Sequence, residues 1–151
     1  METLMRFERL VSESDAVQNL KAALRAAISW DAKSVGMSRK VQGVRFVIEA
    51  LERHLERLMD LEEREGCLAW IGESKPNLDS LAVALCAEHD QFRMRLKEIV
   101  PRWEAAASMQ VDEFNELCDS VRSFLAAVER HEGRERDLMY SALCDDEGGE
   151  S

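Results

Sequence analysis

The clearest chemical signal in this chain is a histidine followed four residues later by a glutamate, His131 and Glu135. In a helix this spacing places the two side chains on one face, one turn apart. Apolar residues at spacings of three and four precede and follow the pair, so this face is expected to be buried. These residues are Phe114, Leu117, Val121, Phe124, Val128, Leu138 and Ala142. Because ionisable side chains are seldom buried unless they are paired or bind a metal, the pair predicts a polar site inside the protein.

The other two histidines of the chain, His54 and His89, lie on the apolar stripes of two other predicted helices. Counting residues from the predicted helix ends puts all three histidines at a similar level along the helix axes. This alignment requires the helix of His89 to continue through Pro101 to about residue 108. With the levels matched, His54, His89, His131 and Glu135 are expected to converge.

Imidazole nitrogens together with a carboxylate suit iron, zinc, manganese or copper. His89, His131 and Glu135 alone make a set of two histidines and one carboxylate, which favours ferrous iron when coordination positions stay open. Cys86, one turn before His89, is a further minor candidate ligand. The alternative is that each histidine is a hydrogen-bonded core residue and that Glu135 pairs with one of them or with an arginine.

Four long amphipathic segments position these residues. They run from about residue 2 to 31, 37 to 65, 78 to 108 and 112 to 144. Short connections between such segments predict an all-α protein, an antiparallel up-down four-helix bundle. We expect one domain over residues 1–144 and an acidic, disordered tail over residues 145–151. The apolar stretch 68–71 is expected to pack over one end of the bundle, where it is also a candidate contact for a homodimer or a protein partner.

Composition narrows the classes of function. The 151 residues carry a net charge of −10, which argues against duplex nucleic acid or an anionic membrane as the main partner. No apolar run approaches the roughly 20 residues that span a bilayer, and the first residues lack the apolar core of a signal peptide, so a cytoplasmic location is expected. No nucleophile–base pair or phosphate-binding glycine loop is present, so the sequence does not favour an enzyme, and a mononuclear iron oxidase is a minor alternative.

The second half of the chain resembles the hemerythrin-like, or HHE cation-binding, family. Members of this family are four-helix bundles with a di-iron site, built from two similar halves. In each half a histidine that often follows an acid stands on the first helix, and an H-x-x-x-E motif stands on the second. Glu88 and His89 are similar to the first element, and His131 and Glu135 are similar to the second.

The first half matches the family pattern only in part. Ser14 stands where the first histidine is expected, and His54 is followed four residues later by Leu58 in place of a carboxylate. The resemblance therefore implies a partly lost di-iron site, with one iron ion bound by His89, His131 and Glu135 and with His54 as a further ligand. It implies a protein that senses or handles O₂, NO or iron. The alternative is a metal-free four-helix bundle that acts as a regulatory or protein-interaction module.

Overall fold

The computed structural model describes residues 2–30, 35–105 and 109–148, and these ranges are almost entirely helical, with no β-strand. Within them the elements are α1 (Glu2–Ile28), α2 (Met37–Arg64), α3 (Cys67–Ser74), α4 (Asp79–Glu104) and α5 (Val111–Gly148). A 3₁₀ turn, Pro76–Leu78, joins α3 to α4. The predicted all-α bundle is confirmed. None of the helices in the described ranges is long and apolar enough to cross a membrane.

The core of the bundle is formed by the apolar faces of the four long helices. Its most buried side chains come from every one of them: Val17, Leu24, Val44, Ile48, Leu51, Phe92, Leu96, Trp103, Leu117, Val121, Phe124 and Leu125. Phe92 and Phe124 pack edge to face across α4 and α5, with ring centroids 5.9 Å apart. The spacing of apolar residues by three and four is therefore sufficient to account for these helices and for the direction of most of their side chains.

Pro101 lies inside α4, which continues to Glu104, so the helix of His89 passes the proline as its alignment with His131 requires. The ring removes one backbone hydrogen bond and crowds the carbonyl of Lys97, four residues earlier. The helix resumes at once, because the amide of Ala105 donates to the carbonyl of Pro101 at 3.0 Å. The stretch 106–108, which this helix was expected to reach, lies outside the described residues.

The connection between the second and third predicted segments contains the short helix α3. Its Leu68 and Ile71 are buried in a second, smaller apolar cluster. The partners in this cluster come from the 3₁₀ turn and from α4 and α5: Leu78, Ala82, Leu85, Leu138 and Ala142. This burial agrees with the expected packing over one end of the bundle. It removes Leu68 and Ile71 from the surface that was expected to contact a second protein.

The predicted tail begins inside a helix, because α5 ends at Gly148 rather than near residue 144. The acidic residues that suggested a tail do not oppose helix strongly enough to end it at that point. Residues 149–151 lie outside the described residues.

Candidate metal centre

Four side chains from three helices meet in the interior. They are Glu62 of α2, His89 of α4, and His131 and Glu135 of α5, and one ligand atom from each lies within 4.8 Å of the others. His89 and His131 are almost fully buried, with 1% and 3% of their surfaces exposed. Of the residues expected at the site, His89, His131 and Glu135 are brought together.

The two imidazole rings face each other through the same ring nitrogen. The Nε2 atoms of His89 and His131 are 3.0 Å apart. The Nε2 atom of His89 is 3.7 Å from Oε2 of Glu62 and 3.8 Å from Oε1 of Glu135, and the Nε2 atom of His131 contacts the same oxygen of Glu135. Two nitrogens and two carboxylates therefore face one small volume.

The opposite nitrogen of His131 is held by a carboxylate. Its Nδ1 is 3.0 Å from Oε1 of Glu88, and Glu88 is also paired with Arg134. An ionised carboxylate can only accept hydrogen bonds, so Nδ1 of His131 carries the hydrogen. In the neutral ring the lone pair then lies on Nε2, toward the cluster.

His89 has the same arrangement with other residues. Its Nδ1 is 3.2 Å from Oε1 of Glu63, whose other oxygen accepts a hydrogen bond of 2.8 Å from Arg93. The guanidinium of Arg93 also contacts Asp90 at 2.7 Å. Each outer carboxylate is thus paired with an arginine and accepts the Nδ1–H of a histidine, so that a neutral ring would direct its Nε2 lone pair at the other imidazole. Two lone pairs 3.0 Å apart repel unless a proton or a metal ion lies between them.

The two inner carboxylates, Glu62 and Glu135, lie close together, so a proton or a cation must offset their negative charge. Burial, followed by the neighbouring Glu135 carboxylate, raises the pKa of Glu62 to about 10. Burial also tends to raise the pKa of Glu135, but its hydrogen bonds with His131 and His89 outweigh burial and lower this pKa. Without a metal, one carboxyl group therefore keeps a proton. The Oε2 atom of Glu62 is buried and has no hydrogen-bond partner among the described residues.

His131 responds to the same surroundings. Burial lowers its pKa, but hydrogen bonds and charge interactions with Glu135 and Glu88 outweigh burial and raise the pKa above its usual value. Protons on Glu62 and His131 can thus stabilise the cluster in the metal-free protein. A metal ion would replace these protons.

The four groups fit a single transition-metal ion. Two imidazole nitrogens and two carboxylate oxygens are ligands of zinc, iron and manganese. Around a tetrahedral ion with bonds of about 2.1 Å, neighbouring ligand atoms are separated by about 3.4 Å. Three separations between cluster atoms, 3.0, 3.7 and 3.8 Å, lie close to this value, whereas His131 Nε2 and Glu135 Oε1 are in direct contact and would have to move apart to bind one ion. The buried carboxyl groups of Glu62 and Glu135 require either a shared proton or a cation between them.

His54 does not join this cluster, contrary to the expected convergence. It is half-buried and its Nδ1 is 2.7 Å from Oε2 of Glu13 on α1. The buried face of α2 passes through Ile48, Leu55 and Leu58 and continues to Glu62, so the predicted stripe is displaced by one residue. One residue turns a helix by about 100°, which carries His54 away from the interior.

The level of His54 along the helix was also misjudged. Glu62 stands two residues before Arg64, the end of α2, whereas His89 stands ten residues after Asp79, the start of α4. The difference of eight residues corresponds to about 12 Å. The first turns of α4 extend beyond α2 and pack against α3, so α2 and α4 do not begin and end at the same level.

Sequence reasoning missed Glu62, Glu63 and Glu88 as parts of the site. A signal for Glu62 was available in the sequence. Glu62 lies four residues after Leu58, so it falls on the same helix face as this apolar residue. Glu88 was noted only as part of a motif. Cys86, the minor candidate ligand, is not among the four clustered groups.

A cavity of about 280 Å³ adjoins the cluster. Ser14 and Leu58, which stand where the family pattern has a histidine and a carboxylate, both line this cavity. Neither side chain carries a charge, so the space can exist without a stranded buried ion. Models of protein families, curated proteins and solved structures were each compared with this chain, and none of them matched.

Proposed function

We propose that this protein binds one iron ion through Glu62, His89, His131 and Glu135, and that it is a hemerythrin-like protein that senses or handles O₂, NO or iron. The observation that carries the proposal is the cluster of two Nε2 lone pairs and two carboxylates around one small volume. Bound iron would supply a redox-active centre with positions for an additional small ligand. The protein would hold it, exclude bulk water and keep the imidazoles in the tautomer that binds metal.

The outer shell of the site supports a metal ligand role rather than an accidental cluster. Metal-binding histidines commonly donate their second ring N–H to a carboxylate, which fixes the ring and makes the ligand nitrogen more basic. Both histidines have this arrangement, through Glu63 and through Glu88.

The hemerythrin-like topology is part of the proposal. The order of cross-helix contacts supports an antiparallel up-down bundle, because positions that advance along one helix pair with positions that recede along its neighbour. The pairs are Arg9–Glu65 and Glu13–His54 between α1 and α2, and Glu88–Arg134 and Arg95–Ser123 between α4 and α5.

A single ion agrees better with the donors than an iron pair. The family pattern has a carboxylate at the position of Leu58, and here the carboxylate stands one turn later, at Glu62. Glu62 lies with the candidate ligands of the second half, His89, His131 and Glu135. Ser14 and Leu58 line the cavity beside the cluster but provide no charged donor for a second ion. We therefore propose a mononuclear centre.

The metal content of the purified protein tests this proposal. The full chain, prepared without a polyhistidine tag, is loaded anaerobically with ferrous iron, desalted and analysed by elemental mass spectrometry. We expect about one iron per chain. The variant His131→Ala should lose the metal, whereas His54→Ala is a matched control that removes a histidine outside the cluster and should keep it.

Three results would contradict the mononuclear iron site. About two irons per chain would indicate a dinuclear centre. Loss of metal in His54→Ala would place that histidine among the ligands, and no metal in the wild-type protein would refute metal binding altogether.

The metal-free alternative has one observation in its favour, since protons on Glu62 and His131 can satisfy the cluster. In that case the double change His89→Gln and His131→Gln should preserve or raise the stability of the protein. It should also leave its interactions with other proteins unchanged.

A further inference from the structure

The cavity beside the cluster is larger than a site for a diatomic gas needs to be. Its volume is about 280 Å³, whereas one water molecule occupies about 30 Å³ in the liquid. An engineered apolar cavity of about 150 Å³ binds benzene, so this cavity has room for a small organic molecule.

Apolar side chains from all four long helices form one part of the cavity wall. The apolar residues that line it are Val17, Leu55, Leu58, Met59, Phe92 and Val128. All of them are buried. They offer no side-chain hydrogen bond, so a ligand with a polar body would lose its water contacts without replacement.

One wall of the cavity is the cluster itself. Glu62, His89, His131 and Glu135 all line the space, so a ligand held against the apolar walls lies next to any ion that these residues bind. A single polar atom on the ligand would have suitable partners there and nowhere deeper along the apolar walls.

The mouth of the cavity carries polar and charged groups, of which the carboxylate of Glu132 is paired. Gln18 and Arg136 line the cavity and are exposed, which places the opening between α1 and α5. Glu132 also lines it, but its carboxylate is paired with the buried Lys21 and accepts a hydrogen bond of 2.8 Å from Gln18. Because this acid is neutralised, it does not repel or select a ligand by charge.

We propose that the cavity binds a small, uncharged, mostly apolar organic molecule with one oxygen donor, of the phenol class, beside the cluster. The apolar body of the molecule packs against Leu58, Phe92 and Val128, and its oxygen faces Glu62 and the histidines. The orientation of the oxygen depends on the proposed function, since it assumes a metal at the cluster. The apolar binding does not depend on it.

The test uses 4-fluorophenol and ¹⁹F NMR on the full chain, both in the metal-free protein and after loading with cobalt(II). We expect saturable binding in both forms. In the cobalt form the resonance of the bound probe should shift or broaden strongly, because the unpaired electrons of the ion lie nearby. The cobalt content of each sample is measured independently.

The variant Leu58→Phe fills the cavity and should weaken binding about tenfold or more, which corresponds to about 1.4 kcal/mol. A matched control is Leu81→Phe, the same change on the exposed face of α4, in a groove separate from this cavity. Val128→Phe fills the cavity from α5 and provides a second variant if Leu58→Phe does not fold. Circular dichroism and thermal unfolding establish that each variant is folded.

The outcomes separate this proposal from the proposed function. No saturable binding to the wild-type protein overturns it, as does unchanged affinity in folded cavity-filling variants. A bound resonance that cobalt leaves unchanged, in protein that contains cobalt, also overturns it because the probe then lies elsewhere. If the protein binds no metal but still binds the probe, and Leu58→Phe abolishes this binding, the cavity proposal is supported while the proposed function fails.

Discussion

Glu62 should lower the free energy of unfolding of the metal-free protein, and its replacement by glutamine should raise it again. The folded protein keeps the Glu62 proton up to a pKa of about 10, whereas the unfolded chain loses it near 4.5. At pH 7, which is about 2.5 units above the unfolded value, folding must take up a proton at about 1.4 kcal/mol per unit. Only 13% of the side chain is exposed, so solvent screening is slight. The cost is therefore about 3 kcal/mol.

The variant Glu62→Gln keeps the shape of the protonated side chain and needs no proton. We expect it to raise the free energy of unfolding of the metal-free protein by up to about 3 kcal/mol at pH 7. The difference from the wild type should grow as pH rises from about 5 toward 10, because the wild type binds more protons when folded than when unfolded over this window. Its stability therefore falls with rising pH.

Urea unfolding of chelator-treated protein, followed by circular dichroism from pH 5 to pH 9, measures this difference. Glu116→Gln, on the exposed surface of α5, is a matched control and should change little. A variant that is less stable than the wild type would refute the reasoning, as would a difference that does not depend on pH. Addition of metal should reverse the order, since a bound ion stabilises the wild type by RT ln(1 + [metal]/Kd) and the amide holds it less well.

Three further outcomes follow from the site and the core. Glu88→Gln should lower metal affinity about 10- to 100-fold in a chelator competition titration, because it weakens the partner of His131 Nδ1, whereas Glu116→Gln should not. The metal affinity of the wild type should rise by at least about tenfold per pH unit between pH 6 and 8 as the metal displaces the Glu62 proton, and more steeply where His131 is also protonated; a flat profile would contradict this. Phe124→Ala should cost about 3–5 kcal/mol of stability in urea unfolding while the metal content stays unchanged. A loss below about 1 kcal/mol would show that the core repacks around the change.

The sequence was sufficient to predict the helical fold and one half of the site. In α5 the apolar residues form a single stripe, so the direction of His131 and Glu135 follows from spacing alone. His89 is similarly placed between Leu85 and Phe92, which are both buried. For these residues local periodicity and the tertiary structure agree.

The α2 face could not be assigned from spacing, for a physical reason. Val47 stands beside Ile48 and His54 beside Leu55, so two stripes that share Leu58 but differ by one residue elsewhere are both plausible. Packing of the whole bundle selects the second stripe, which turns His54 toward α1. The level of the site depends on α3, whose position beside α4 is a tertiary feature without a local signal in the sequence.

The charges around the site explain why a divalent ion suits it. The outer carboxylates, Glu63 and Glu88, are each paired with an arginine, although Arg93, the partner of Glu63, is shared with Glu56 and Asp90. The two inner carboxylates have no arginine or lysine partner among the described side chains, so with neutral imidazoles the inner cluster has a charge of −2 when both are ionised. Two protons or one divalent ion can balance this charge. The protons and the ion would bind to the same carboxylate oxygens and imidazole nitrogens. Metal and protons therefore compete, which is why the pH dependence of stability in the metal-free protein and the pH dependence of metal affinity should run in opposite directions.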